Sequence, residues 1–124
     1  MRMSALATSI REDLLSSEGV RKLLLSRRSP AVYSVGTPAN HVFFLDSGLV
    51  KIEKPTDQHK DLLLSVVPAG DIFGEQALLG DGAFDTTARV LESGIAYSIP
   101  TDVFQRYCER RPDVWRLLVS HFLR

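Results

Sequence analysis

The sequence predicts a mainly β domain, an antiparallel sandwich or barrel flanked by helices at both ends. Two observations carry this. Between Ala31 and Pro100 the chain breaks into short runs rich in β-branched and aromatic residues, separated by glycine- and proline-bearing turn signals. On either side of that stretch the apolar residues recur at helical spacing instead.

The first 30 residues read as a helical segment. Ile10, Leu14 and Leu15, then Val20, Leu23, Leu24 and Leu25, follow a helical period, and Ser17-Glu18-Gly19 divides them into two short helices. Arg27 and Arg28 suit the C-terminal end of the second helix, and Pro30 closes the region. Residues 31–100 then supply seven expected strands: Ala31 to Val35, Val42 to Asp46, Leu49 to Lys54, Asp61 to Val67, Asp71 to Phe73, Thr86 to Glu92 and Ile95 to Ile99. Gly36-Thr37-Pro38, Ser47-Gly48, Pro55-Thr56-Asp57, Pro68-Ala69-Gly70 and Ser93-Gly94 are the turns expected between them. Residues 101–124 return to helix. Thr101 is the expected N-cap of one, and Pro112-Asp113 opens another with a stripe of Trp115, Leu118, Val119 and Phe122, suited to a core or to a subunit interface.

Composition narrows the function classes. The chain has 124 residues, 44% apolar and 24% charged, which suits one ordinary globular domain. Fifteen basic residues balance fifteen acidic ones, so no net charge draws the chain to nucleic acid or to an anionic membrane. Apolar runs fall far short of the roughly 20 residues that span a bilayer, and the N-terminus lacks an apolar leader core. The single cysteine, Cys108, excludes an internal disulfide, fits a reducing cytoplasm and suits a small core residue better than a redox sensor. His41, His59 and His121 lie too far apart for a metal-ligand spacing, and no Ser-His-acid or paired-carboxylate arrangement suggests an enzyme.

The most informative stretch is Phe73 to Val90, FGEQALLGDGAFDTTARV. A glycine-initiated short helix leaves its first amides unpaired and suits an anion, and a guanidinium nearby would clamp a phosphate through two hydrogen bonds. Gly74, Glu75, Ala77, Leu78 and Leu79 fit such a cassette, and residues 73–90 resemble the phosphate-binding cassette of cyclic-nucleotide-binding domains. The resemblance extends to Val42 through Ile52, to Gly36, to Pro68 through Glu75 and to Tyr97 through Pro100, covering about residues 20 to 124. It implies the family's fold, a jelly-roll-like double-stranded β-helix. It also implies a small-molecule effector, with Gly74, Glu75, Gln76, Ala77, Phe84, Asp85 and Thr86 as the ligand-binding cassette and Glu75 aimed at a ribose hydroxyl.

One position departs from the pattern. The place where the family holds its phosphate-binding arginine falls on Phe84. No Lys or Arg occurs between Lys60 and Arg89, whereas Asp61, Asp71, Glu75, Asp81 and Asp85 are acidic. Losing one side of a buried charge pair costs about 2–5 kcal/mol, so affinity for cAMP or cGMP should fall roughly 30-fold to several thousand-fold. Arg89 does not restore the clamp, since its strand parity is opposite to that of positions 84, 86 and 88. Phe84 is then either a plug filling the pocket or a stacking wall for a non-nucleotide ligand. Gly80 and Gly82 favour a mobile loop.

The expectation is therefore a sensor domain resembling the effector half of catabolite-activator/FNR-type (Crp/Fnr) regulators, with no required cofactor and weak or absent cyclic-nucleotide binding. The resemblance implies a homodimer through the C-terminal helix, DNA contact only through a separate domain, and no membrane partner. A working cAMP or cGMP receptor and a ligand-independent interaction module are the alternatives.

Overall fold

The computed structural model describes residues 4–80 and 82–122, without the side chains of Ser4, Leu6, His121 and Phe122. Asp81, and Phe122 of the expected apolar stripe, thus lie outside the described groups. Its elements run α1 (Ser4–Asp13), β1 (Arg21–Leu25), β2 (Ala31–Tyr33), β3 (His41–Pro55), β4 (Asp61–Pro68), β5 (Ile72–Phe73), a 3-10 helix (Glu75–Leu79), β6 (Thr87–Pro100), α2 (Thr101–Arg110) and α3 (Pro112–Phe122). The fold is the expected antiparallel β jelly roll with flanking helices. Its strands follow the order β1-β6-β3-β4, with β2 on β6 and β5 on β3.

Two long strands organise the roll, where the sequence suggested four short ones. β3 has 15 residues and β6 has 14, and each runs straight through an expected turn. Ser47-Gly48 and Ser93-Gly94 are bulges in the β3–β6 ladder, with register shifts around Ser47 and Leu49. At this point each long strand changes neighbours: β5 pairs with Phe43–Phe44 and β4 with Leu49–Pro55 of β3, while β2 pairs with Ala88–Arg89 and β1 with Gly94–Ser98 of β6. Glycine serves a bulge as well as a turn, because both demand φ values or close approaches that a Cβ forbids. Gly48 sits at φ 95, where an added Cβ would lie 2.7 Å from the Glu92 carbonyl. Ile95 N–H donates to Ser47 Oγ at 3.0 Å, satisfying one group that the bulge removes from the ladder.

The second N-terminal helix is not formed. Residues 21–25 are strand β1, antiparallel to β6 from Arg21↔Ser98 to Leu25↔Gly94. The run RKLLL fits either period, and the unpaired edge of β6 decides it, since tertiary pairing overrides a weak local preference. Leu25 is buried and Leu24 points outward at 79% exposure, the alternation of a strand. Arg27 and Arg28 consequently lie in the turn after β1, closed by the Ser26↔Ser29 bridge, and cap no helix. Thr101 is the first residue of α2, whose N-cap is Pro100 with no side-chain cap bond; the Thr101 N–H donates to the Asn40 carbonyl at 3.1 Å.

The core joins both ends to the roll. Val42, Phe44, Leu45, Val50 and Ile99 fill it from the long strands, and Ile10, Phe104 and Val114 of the helices, with Leu14 just past α1, close it, all fully buried. Cys108 is buried among them, as expected of a small core residue. No described helix is long and apolar enough to cross a membrane.

Candidate functional site

The cassette is built around Gly74. It caps the 3-10 helix at φ 75, and an added Cβ would stand 2.8 Å from the Phe43 ring, so a side chain is excluded by conformation and by space. Gly80 ends the helix at φ 70. The described part of the following loop is tied down on two sides. Gly36 N–H donates to the Phe84 carbonyl, Phe84 N–H to the Thr37 carbonyl and Ala39 N–H to the Gly82 carbonyl, at 2.8–2.9 Å. Gln76 adds a side-chain staple, its Nε2 donating to the Ala83 carbonyl at 3.3 Å while its Oε1 accepts from Asp85 N–H at 3.1 Å. The amide of Gln76 thus shapes the loop.

Phe84 is not among the described residues that line the cavity beside the cassette. It is 2% exposed and stacks on Tyr33 with ring centroids 3.8 Å apart and planes 15° apart. Tyr33 in turn stacks on Phe43 at 5.6 Å, and Phe43 on Phe73 at 5.3 Å, forming an aromatic layer beneath the cassette. The position at which the resemblance leads one to expect an arginine is thus part of the core. Ala77 is likewise buried.

Beside this layer a cavity of about 680 Å³ remains open, within the ~300–1,000 Å³ range of small-molecule sites. Gly74, Glu75, Gln76, Asp85 and Thr86 line it, five of the seven cassette residues expected from the sequence; Ala77 and Phe84 do not. Sequence reasoning missed Tyr33, and Ile52, Leu64 and Ser65 from β3 and β4, which pairing across the roll brings to the site. Trp115, Leu118 and Val119 of α3 complete the wall, so the C-terminal stripe faces the cavity as well as the core.

The described lining of the cavity is acidic. Glu75 and Asp85 line it, and none of the described lining residues is Lys, Arg or His. Lys54 reaches Asp85 at 3.6 Å, but both side chains are at least half exposed, where such a pair contributes little. Arg89 is engaged elsewhere: its Nε donates to Glu53 Oε1 at 3.0 Å, and Lys51 holds the other Glu53 oxygen at 2.9 Å. Tyr33 bonds to the Thr86 side chain, while burial pushes its phenol up to about 12.

Burial likewise pushes the Cys108 thiol up to about 11. For both groups the folded state holds the proton more tightly than the unfolded chain, so their contribution is complete below the ordinary thiol and phenol range and disappears as pH rises through about 11 and 12. Urea midpoints should therefore decline from pH 9 to 11, and Cys108→Ala should flatten the earlier part of that decline.

The geometry is that of a jelly roll with a glycine-capped cassette beside a cavity of small-molecule size, walled on one side by α3. The chain belongs to the cyclic nucleotide-binding domain family, whose sequence model matches residues 27–111. That family is regulatory and not catalytic. The chain is 25% identical over 87 residues to a CRP-like cAMP-activated global transcriptional regulator of Mycobacterium tuberculosis, covering 70% of this chain and 39% of that protein. Among solved structures it resembles the sensor domain of the transcriptional regulator DNR from Pseudomonas aeruginosa, with TM-score 0.72, 20% identity and coverage of 84% of this chain and 69% of that one. It also resembles the Thermus thermophilus catabolite activator protein, with TM-score 0.73, 18% identity and coverage of 98% and 52%. The c-di-GMP responsive global regulator CLP of Xanthomonas campestris gives TM-score 0.75, 22% identity and coverage of 91% and 55%. These structural likenesses carry the fold alone.

Proposed function

We propose that the chain is the effector-sensing part of a Crp/Fnr-type regulator whose cavity has lost the clamp for a cyclic phosphate. The observation that carries this is the cavity lining itself: two carboxylates and, among the described residues, no cation, with Phe84, where the resemblance places an arginine, buried in the core. A phosphodiester entering there gains no charge-assisted hydrogen bond and meets like charge, so cAMP and cGMP bind weakly or not at all. The domain requires no cofactor. Its effector is a small molecule that tolerates acidic neighbours, and its response is a shift of the cassette and α3 between two arrangements, driven by differential affinity for them. Dimerisation through the C-terminal helix, DNA contact through a separate domain and a cytoplasmic location complete the reading.

The experiment is a calorimetric comparison of the unmodified chain with Asp85→Arg. Position 85 lines the cavity, whereas position 84 does not, so a guanidinium introduced at 85 faces the ligand space. The substitution removes an acid and adds a clamp, and cAMP affinity should rise at least about 30-fold. An Asp85→Arg protein that is folded and gains nothing would show that more than the missing cation bars the nucleotide.

A further inference from the structure

α3 supplies the cavity wall through Trp115, Leu118 and Val119, so whatever holds α3 sets the shape of the site. α2 and α3 meet at Arg111, which leaves helical geometry at φ −131 and ψ 77. Its guanidinium works in two directions from this elbow. Nε and Nη2 donate to the two carboxylate oxygens of Asp113 at 3.1 and 3.0 Å. Nη1 donates to Asp13 at 2.6 Å, and Nη2 reaches Ser9 Oγ at 3.5 Å. The elbow is thereby joined to α1.

α1 is itself fastened to the roll. Ile10 and Leu14 are fully buried, Arg11 Nε donates to Asp46 of β3 at 3.0 Å, and the same guanidinium lies over the Phe44 ring at 5.2 Å. One run of contacts therefore leads from β3 through α1 and Asp13 to Arg111 and the cavity wall. An exposed ion pair on its own holds little, but a guanidinium fixed by a two-point bond to Asp113 presents its remaining donors in one direction.

We infer that Asp13 and Arg111 are positioning residues, forming a latch through which α1 holds the α2–α3 elbow, and with it the cavity wall, against the roll. The inference goes beyond the proposed function and needs no ligand. Opening the latch frees the elbow while the strands stay paired, because neither residue takes part in the sheet.

Amide hydrogen exchange on the full chain tests it. In Asp13→Asn the α3 amides should exchange about three- to tenfold faster, with β3 and β6 amides unchanged, as expected for a local opening. The chain's single tryptophan, Trp115, should shift its emission in the same variant. Arg111→Lys keeps the charge, loses the fork and should give the same local loosening. Unchanged α3 exchange in both Asp13→Asn and Arg111→Lys would overturn the latch. So would equal acceleration of α3 and the strands, which marks a general loss of stability.

Discussion

Phe84→Ala is expected to lower the free energy of unfolding by about 3–5 kcal/mol, the usual range for removing a buried aromatic ring. Phe84 is the upper face of a four-ring layer, stacked at 3.8 Å on Tyr33, and it is 2% exposed. Truncation leaves a void under the loop that Gly36, Thr37 and Ala39 hold in place, so the loop has little freedom to collapse into it. A urea titration followed by far-UV circular dichroism measures the loss. Phe84→Arg, which introduces the residue that the resemblance leads one to expect there, should be at least as damaging, because it places a charge in the aromatic layer. It is therefore a poor means of restoring nucleotide binding, whereas Asp85→Arg leaves the layer intact. A stable Phe84→Arg protein that bound cAMP would show that the arginine is able to turn outward, and the assignment of position 84 to the core would fail.

Gly94→Ala should also be severe, above about 3 kcal/mol, for a different reason. A Cβ at Gly94 would collide with the Ser47 carbonyl, with the Ser47 carbonyl carbon and Gly48 nitrogen close behind. Every colliding atom is backbone of the opposite bulge, so rotamer adjustment gives no relief and the β3–β6 ladder itself must shift. The result should appear as low soluble yield, or as a large fall in thermal midpoint. Gly36→Ala provides the contrast: nothing lies within 4 Å of its added Cβ, although φ 91 still carries strain, and its loss should be clearly smaller.

The comparison of Gly94 with Gly36 also explains how much of the fold could be read in advance. Glycine beside serine marks a departure from a regular strand, and the sequence places those departures at the right residues. Whether the chain reverses there or continues through a bulge depends on a second strand 46 residues away, from Ser47 to Ser93, and local pattern carries no record of it. Val20 to Leu25 fails in the same way. Its leucines satisfy a helical period, and only the open edge of β6 makes them a strand. The flanking helices α1, α2 and α3 were legible because each buries a face whose spacing is set within its own length.

The site divides along the same line. Gly74, Glu75, Gln76, Asp85 and Thr86 are contiguous with the cassette and were found from it, whereas Tyr33, Ile52 and Leu64 reach the cavity through sheet topology. Arg89 is not in the described lining and pairs with Glu53 instead, although strand parity does not sort the lining, since Asp85 and Thr86 both face the cavity. Parity could not place Phe84 either, because Phe84 precedes β6 in a loop whose direction is fixed by hydrogen bonds to residues 36–39. The lack of Lys or Arg between Lys60 and Arg89 was visible in the sequence; the open cavity beside Phe84 was not.

That cavity turns the central claim into a direct measurement: calorimetric titration of the unmodified chain with cAMP and cGMP at near-neutral pH and one fixed ionic strength. A cavity lined by Glu75 and Asp85, with no cation among its described lining residues, predicts no saturable binding of either nucleotide below about millimolar concentration. Saturable binding with a micromolar or tighter Kd would contradict it, and would make this chain a cyclic-nucleotide receptor that recognises the phosphate without an arginine.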